Sequence, residues 1–91
     1  MKDFSKFSAI IIGAGDATGA ALTKKFASHG YKVCPARRPR SIETVNILAD
    51  EIHNSGGLAK GYWVDSRVED VIAKFFKEVE EEVAPIDVVI F

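Results

Sequence analysis

A run of three isoleucines leads directly into a turn rich in glycine, and this joint constrains the fold more than any other feature of the chain. Ile10–Ile12 ends an apolar stretch that begins at Phe7, which is typical of a strand buried on both faces of a sheet. The following residues, from Gly13 to Gly19, are mostly small. Small residues let a backbone approach a phosphate group closely, and a helix behind them offers free N–H groups. The sequence therefore predicts a strand, a phosphate-binding turn and a helix in succession.

The rest of the chain alternates predicted strands and helices with short connections. The predicted strands are Phe7–Ile12, Tyr31–Pro35, Leu58–Val64 and Ile86–Phe91. The predicted helices are Thr18–His29, a second from Ser41 to Asn54, and a third that opens at Ser66 and ends before Pro85. Short connections favour right-handed crossovers between parallel strands. We therefore expect an α/β, Rossmann-like parallel sheet in the order 3-2-1-4 with flanking helices, an incomplete doubly wound fold, with residues 1–91 as the N-terminal part of a single dinucleotide-binding domain.

Composition excludes several classes of partner and site. Lys and Arg number 12 and Asp and Glu 13, for a net charge of −1, so we expect neither nucleic acid nor a membrane as partner. Cys34 is the only cysteine, which suits a buried position and a cytoplasmic protein. His29 and His53 lie near predicted helix ends without a nucleophile or paired carboxylate beside them, and we interpret both as structural. We assign no metal ligand and no catalytic residue.

The glycine spacing in the first turn is Gly13-x-Gly15-x-x-x-Gly19, with Thr18 where the common dinucleotide fingerprint has its third glycine. Such spacing alone is a weak signal, because glycine-rich loops after strands are often ordinary turns. The position of the loop between the first strand and the first helix favours a pyrophosphate site. The candidate contacts there are Gly13, Gly15, Asp16, Ala17, Thr18 and Gly19.

Arginines follow the second predicted strand. In dinucleotide-binding folds an acidic residue at this point accepts a hydrogen bond from the ribose 2′-hydroxyl of NAD, whereas an arginine donates hydrogen bonds to the 2′-phosphate of NADP. Arg37 and Arg38 occupy the stretch, Arg40 follows, and the first acidic residue is Glu43. A guanidinium pairs with phosphate through a planar fork. We therefore predict NADP as the cofactor rather than NAD, with an exposed basic loop as the alternative.

Asp65 and Ser66 follow the third predicted strand. Asp65 could accept a hydrogen bond from the amino group of an adenine at the carboxyl edge of the sheet, and we place both residues beside the adenine. The alternative is that Asp65 only helps Ser66 to start the next helix. The aromatic pair Tyr62–Trp63 is interpreted as packing in the core or on the sheet.

Together these residues resemble the N-terminal half of a short-chain dehydrogenase/reductase. That family carries T-G-x-x-x-G-x-G at the first turn. Gly13 and Gly19 match its first and last glycines, whereas Ala17 stands at the middle glycine and Ile12 at the threonine. The sequence Val64–Arg67 resembles the part of the family that follows the third strand and carries an aspartate against the adenine. Ala36–Arg38 resembles its NADP-preferring form.

The resemblance implies an oxidoreductase that passes hydride between nicotinamide and a carbonyl or alcohol. The family's Asn-Ala-Gly motif would begin just after Phe91, and its catalytic Ser and Tyr-x-x-x-Lys would lie further on, so we expect a truncated cofactor-binding half and leave open whether the chain alone is an enzyme. A dinucleotide-binding module without chemistry is one alternative. Self-association through the unpaired strand Ile86–Phe91 is another.

Overall fold

The computed structural model describes residues 3–13, 17–37, 42–65 and 69–91. Five strands, three α-helices and one short 3-10 helix lie in these ranges. The strands are β1 (Ser8–Ile12), β2 (Lys32–Arg37), β3 (Leu58–Ala59), β4 (Tyr62–Trp63) and β5 (Ile86–Ile90). The helices are the 3-10 helix Phe4–Lys6 and the α-helices α1 (Ala17–Ser28), α2 (Ile42–Asn54) and α3 (Glu69–Glu82).

All pairings in the sheet are parallel, and β1 lies inside it between β2 and β5. The order is β3-β2-β1-β5, with β4 also paired to β2. Since β3 and β4 together occupy the place of the predicted third strand, the predicted order and the Rossmann-like α/β class are confirmed.

The prediction of one continuous third strand over Leu58–Val64 is wrong, and so is the placement of Pro35 at the end of the second strand. β2 continues through Pro35 to Arg37, and β3 and β4 are separated by two residues that start at Lys60. The Val33 and Arg37 carbonyls accept hydrogen bonds from the amides of Lys60 and Val64, at 3.0 and 2.6 Å. Pro35 lies midway between these two residues of β2 and so faces the same neighbour, but it has no N–H to donate. The third strand is interrupted where that donor is missing.

The sheet separates two apolar clusters. On one face, Ala9, Ile11 and Val33 pack with Leu48 and Ile52 of α2. α1 contributes Ala20, Phe26 and Ala27 to the same cluster. Alternate strand residues point the other way and meet α3, in a cluster formed by Ile10, Cys34, Ala36, Val64, Phe75 and Val79. Helices therefore cover both faces of the strands, as their near-continuous apolar sequences predict.

Glycine in the left-handed region follows two of the helices. Gly30 has φ +103° after α1, and Gly56 has φ +90° after α2. A residue in this conformation ends a helix with little strain only when it lacks a side chain. The predicted end of α2 at Asn54 is confirmed, and α1 ends at Ser28, one residue before the predicted His29. Among the residues that the structure describes, no helix combines the length and apolarity needed to cross a membrane.

Candidate functional site

The carboxyl end of the sheet brings together residues that are distant in sequence. Gly13 follows β1, Arg37 is the last residue of β2, and Asp65 comes two residues after β4. Parallel strands present their carboxyl ends at one edge, so these three positions share that edge. This is where ligands bind in open α/β sheets.

Gly13 makes the first turn. Its φ is +85°, and its amide donates a hydrogen bond of 2.9 Å to the carbonyl of Ala36 in β2. A Cβ placed on Gly13 would meet no heavy atom within 4 Å among the atoms described. The conformation therefore requires glycine for its backbone angles, not for space within the protein, and the bond to Ala36 fixes the turn against β2.

The start of α1 carries the next candidates. Ala17 and Thr18 are exposed, whereas Gly19 is buried. The hydroxyl of Thr23 donates a 2.7 Å hydrogen bond to the carbonyl of Gly19. A shallow groove of about 520 Å³ runs along this part of α1 and is lined by Ala17, Thr18, Ala21, Leu22 and Lys25.

Arg37 ends β2 and is half-buried. Its carbonyl accepts the short hydrogen bond from Val64, and its register partner across the ladder is Trp63. Val64 is buried in the cluster under α3, so its hydrogen bond holds the backbone of Arg37 in place. The structure thus places the first of the predicted arginines on an ordered strand at the carboxyl edge.

Asp65 is half-buried and directly follows Val64. The other predicted site residues, Gly15, Asp16, Arg38 and Ser66, lie outside the described residues. Their roles stay predictions, as does the choice between an adenine contact and a helix start for Asp65.

The aromatic pair on β4 divides between two environments. Tyr62 packs against Phe75 of α3, with ring centroids 5.0 Å apart, which confirms the packing interpretation for this residue. Trp63 is 61% exposed, so the interpretation is wrong for it. The alternation of side chains along a strand indicates that one of two adjacent residues is exposed, but nothing in the sequence says which one.

Two other candidates have structural surroundings. The Nε2 atom of His53 lies 2.7 Å from the carbonyl oxygen of Ala59 and 3.2 Å from its amide nitrogen, so the ring contacts the backbone of β3. Cys34 is fully buried, and its burial raises the pKa of the thiol to about 12. Such a thiol is inert at neutral pH.

A second groove of about 520 Å³ lies at the opposite end of the sheet, between the C-terminal parts of α1 and α2. Its walls include Ala27, Ile52 and Gly57, and an ion pair joins Lys24 to Glu51 at 2.7 Å. It contains none of the residues predicted to bind a ligand, and the pair that lines it is solvent-exposed. We therefore assign the candidate site to the carboxyl edge.

Known proteins resemble this chain over most of its length. The family model described as short chain dehydrogenase matches residues 8–91. A short chain dehydrogenase of Pseudocercospora fijiensis (strain CIRAD86) is 38% identical over 84 residues, which are 91% of this chain and 26% of that protein. A metagenomic short-chain oxidoreductase, solved in complex with NADP, is 30% identical with a TM-score of 0.86, over 97% of this chain and 39% of the other. A short-chain dehydrogenase from Rhodopseudomonas palustris is 34% identical with a TM-score of 0.84, over 92% and 38%.

The chain belongs to the short chain dehydrogenase family. The resemblance that the sequence motifs indicated is thereby confirmed. The chain spans about a quarter of the length of the curated relative that it matches.

Proposed function

We propose that this chain forms the dinucleotide-binding part of an NADP(H)-dependent oxidoreductase, in which hydride passes between the nicotinamide and a carbonyl or alcohol. Membership of the short chain dehydrogenase family supports the reaction class. The NADP complex of the related metagenomic oxidoreductase supports the cofactor. The observation that carries the proposal is Arg37 at the carboxyl end of β2, beside the Gly13 turn.

In this proposal the turn and the start of α1 hold the pyrophosphate. Gly13 allows close approach of backbone, and Ala17, Thr18 and Gly19 lie in the first turn of α1, where the positive end of the helix dipole favours an anion. Asp65 borders the adenine. The 91 residues then form the N-terminal part of a single dinucleotide-binding domain, and we assign no catalytic side chain to them. We also propose a cytoplasmic location, which suits the buried thiol of Cys34.

Arg37 decides the choice between the two dinucleotides. NADP differs from NAD by one phosphate on the adenosine ribose, and an arginine beside that ribose gains charge-assisted hydrogen bonds only with NADP. Within β2 the position of the family's acidic residue is held by Ala36, which is fully buried. A methyl group there offers no acceptor for a ribose hydroxyl.

Calorimetric titration of the 91-residue chain with NADP and NAD tests the proposal. The fragments 2′,5′-ADP and 5′-AMP serve as a second pair that differs in the same phosphate. We expect tighter binding of the phosphorylated member of each pair. Arg37→Ala should weaken NADP binding by about 10- to 100-fold and leave NAD almost unchanged.

Lys32→Ala is the matched control, because Lys32 begins the same strand and carries the same charge at the opposite end of the sheet. It should leave both affinities unchanged. Absence of binding to either dinucleotide at millimolar concentration would overturn the proposal. Equal weakening of NADP and NAD by Arg37→Ala would overturn the assignment of the phosphate contact.

We further propose that the 91-residue chain self-associates through β5. Among the described residues β5 pairs only with β1, so its other edge can add a strand, and Val89 is 37% exposed on it. Light scattering should show a dimer or larger species. Val89→Lys should shift it toward monomer, whereas Val71→Lys, at an equally exposed position on α3, should not. A monomer at all concentrations would contradict this proposal.

A further inference from the structure

Trp63 is the one tryptophan of the chain, and its side chain is 61% exposed on a strand of the sheet. Exposure of so large an apolar surface has a cost that a folded chain avoids when it can. Its neighbours along β4, Tyr62 and Val64, both contribute to the cluster under α3. Trp63 therefore points to the opposite face of the sheet. α2 covers this face nearer to the amino end of the sheet.

α2 leaves room for this side chain at the carboxyl end. Gly61, two residues earlier on the same face, lies so close to α2 that a Cβ there would come within 2.6 Å of the Val45 side chain. Trp63 lies beyond this close contact, where the face opens to solvent. The indole is thus outside the helix-covered region and at the carboxyl edge of the sheet.

Arg37 is the register partner of Trp63 in the ladder between β2 and β4. Paired residues of neighbouring parallel strands project from the same face and stand about 4.8 Å apart at the backbone. The 2.6 Å hydrogen bond from the Val64 amide to the Arg37 carbonyl holds this register. The exposed Trp63 and the half-buried Arg37 are therefore neighbours on one face of the sheet at the proposed cofactor site.

We propose that Trp63 is a specificity-determining residue of this site, which acts by stacking its indole on the guanidinium of Arg37. The inference rests on the proposed function, since it concerns how the same site distinguishes NADP from NAD. A guanidinium attracts the face of an indole, and stacking leaves the N–H edge of its plane free. That edge can then make the two parallel hydrogen bonds that a phosphate accepts. Trp63 is a positioning residue in this account and bonds no phosphate itself.

The test is the ratio of the NAD and NADP dissociation constants, measured by calorimetry on the 91-residue chain. Trp63→Leu should reduce the preference for NADP about two- to fivefold, by weakening NADP binding with NAD unchanged. Trp63→Phe should keep most of the preference, because it retains an aromatic face. Leu58→Thr is the control, since Leu58 is similarly exposed on β3 at the far end of the sheet.

A double-mutant cycle distinguishes a role of Trp63 in positioning Arg37 from a general role of Trp63 in the fold. In the Arg37→Ala background, Trp63→Leu should have no effect on the ratio, because its action passes through the guanidinium. A second readout is the emission of Trp63, which should change on addition of 2′,5′-ADP and much less with 5′-AMP.

Three outcomes would overturn the inference, and they differ from one another. If the wild type shows no Arg37-dependent preference for NADP, the proposed cofactor choice fails and the role of Trp63 fails with it. If that preference exists and Trp63→Leu leaves it unchanged, only the role of Trp63 fails. If Trp63→Leu weakens NADP and NAD equally, the indole contacts a part common to both dinucleotides and does not act through Arg37.

Discussion

Around the starts of β1, β2 and β5, the amino end of the sheet is closed by the chain's own side chains, whereas the carboxyl end presents exposed ones. At the amino end the Tyr31 hydroxyl donates a 2.5 Å hydrogen bond to Asp87, and the ring of Tyr31 packs between those of Phe4 and Phe26. The buried hydroxyl of Ser8 donates to the carbonyl of Ala84 at 3.1 Å.

At the carboxyl end, Gly13, Ala17 and Thr18 are exposed and Trp63 is largely so, and Arg37 ends β2 beside them. β1, β2 and β5 each contribute to both ends, so strand sequence alone does not explain the contrast. The difference lies in the segments that flank the strands. Segments that enter the strands contribute aromatic and hydrogen-bonding groups that stabilise the fold, whereas segments that leave them contribute small and charged residues suited to a ligand.

The largest expected effect is on the reactivity of the Cys34 thiol, which lies in the interior between the two ends of the sheet. Burial raises the pKa of Cys34 to about 12 from an ordinary value of 9.0, which lowers its thiolate fraction about a thousandfold. A thiol-reactive dye at pH 8 should therefore leave the folded chain unlabelled and label one thiol after denaturation. Rapid labelling of the native chain would show that α3 moves away far enough to expose the middle of β2, and the interior would then not be closed.

Aromatic truncation should separate the ends clearly. Tyr31→Ala removes a buried ring and its hydrogen bond, and we expect the Tm to fall by about 10 °C or more. Trp63→Ala removes an exposed ring and should change the Tm by about 3 °C or less. Thermal unfolding followed by circular dichroism measures both. Equal losses would mean that Trp63 supports the fold, and the division between the ends would be wrong.

Two glycines with similar backbone angles allow the cost of backbone strain to be separated from an effect on NADP binding. Gly13 at the carboxyl end and Gly56 at the amino end have φ of +85° and +90°, and neither would place a Cβ within 4 Å of another atom described. Substitution of either glycine by alanine should lower the free energy of unfolding by about 1–2 kcal/mol, because of backbone strain alone.

Gly13→Ala should in addition weaken NADP binding, because a methyl group would stand where the backbone approaches the cofactor. Gly56→Ala should leave the affinity of the folded protein unchanged. Chemical denaturation gives the stabilities and calorimetry the affinities. If both variants bind NADP as the wild type does, the turn after β1 does not contact the cofactor.

The smallest expected effect concerns an exposed ion pair near the amino end. Lys60 bonds the carboxylate of Glu82, which also accepts a 3.3 Å hydrogen bond from Tyr62. The bond to Lys60 lowers the pKa of Glu82, and the bond to Glu82 raises the pKa of Lys60. The pair therefore stabilises the fold between the ordinary values of 4.5 and 10.5, and this contribution is lost as the pH falls through the lowered pKa or rises through the raised one.

Glu82→Gln should lower the Tm slightly at pH 7, since exposed ion pairs contribute little. The difference from the wild type should vanish in acid, once the carboxylate of the wild type is protonated. Glu81→Gln removes the same charge from the same end of α3 and serves as the control. A difference that persists unchanged in acid strong enough to protonate this carboxylate would mean that packing, and not charge, is lost.

The sequence predicts the fold where local signals and topology agree. The isoleucine run of β1, the alternation of predicted strands and helices and the short connections lead to the observed strand order without knowledge of any contact. The break between β3 and β4 could not be predicted in this way. It depends on which neighbour Pro35 faces, and that is decided by the register between two strands distant in sequence.

The candidate site likewise has residues that could be predicted from the sequence and one that could not. The positions of Gly13, Arg37 and Asp65 at the carboxyl edge were predictable because each lies at or just after the end of a strand, and parallel strands end together. Trp63 was not, because its role depends on a pairing with Arg37 that only the register defines. Side-chain alternation indicates that one of Tyr62 and Trp63 is exposed, but it does not say which one.

The most direct test of the contrast between the two ends is an amide-resolved NMR titration of the 91-residue chain with NADP. The account predicts the largest chemical-shift changes at the carboxyl end, at Gly13, Arg37 and Asp65, and almost none at Lys32. Largest changes around Gly57, in the groove between the C-terminal parts of α1 and α2, would contradict it and place the ligand at the end that the account treats as closed.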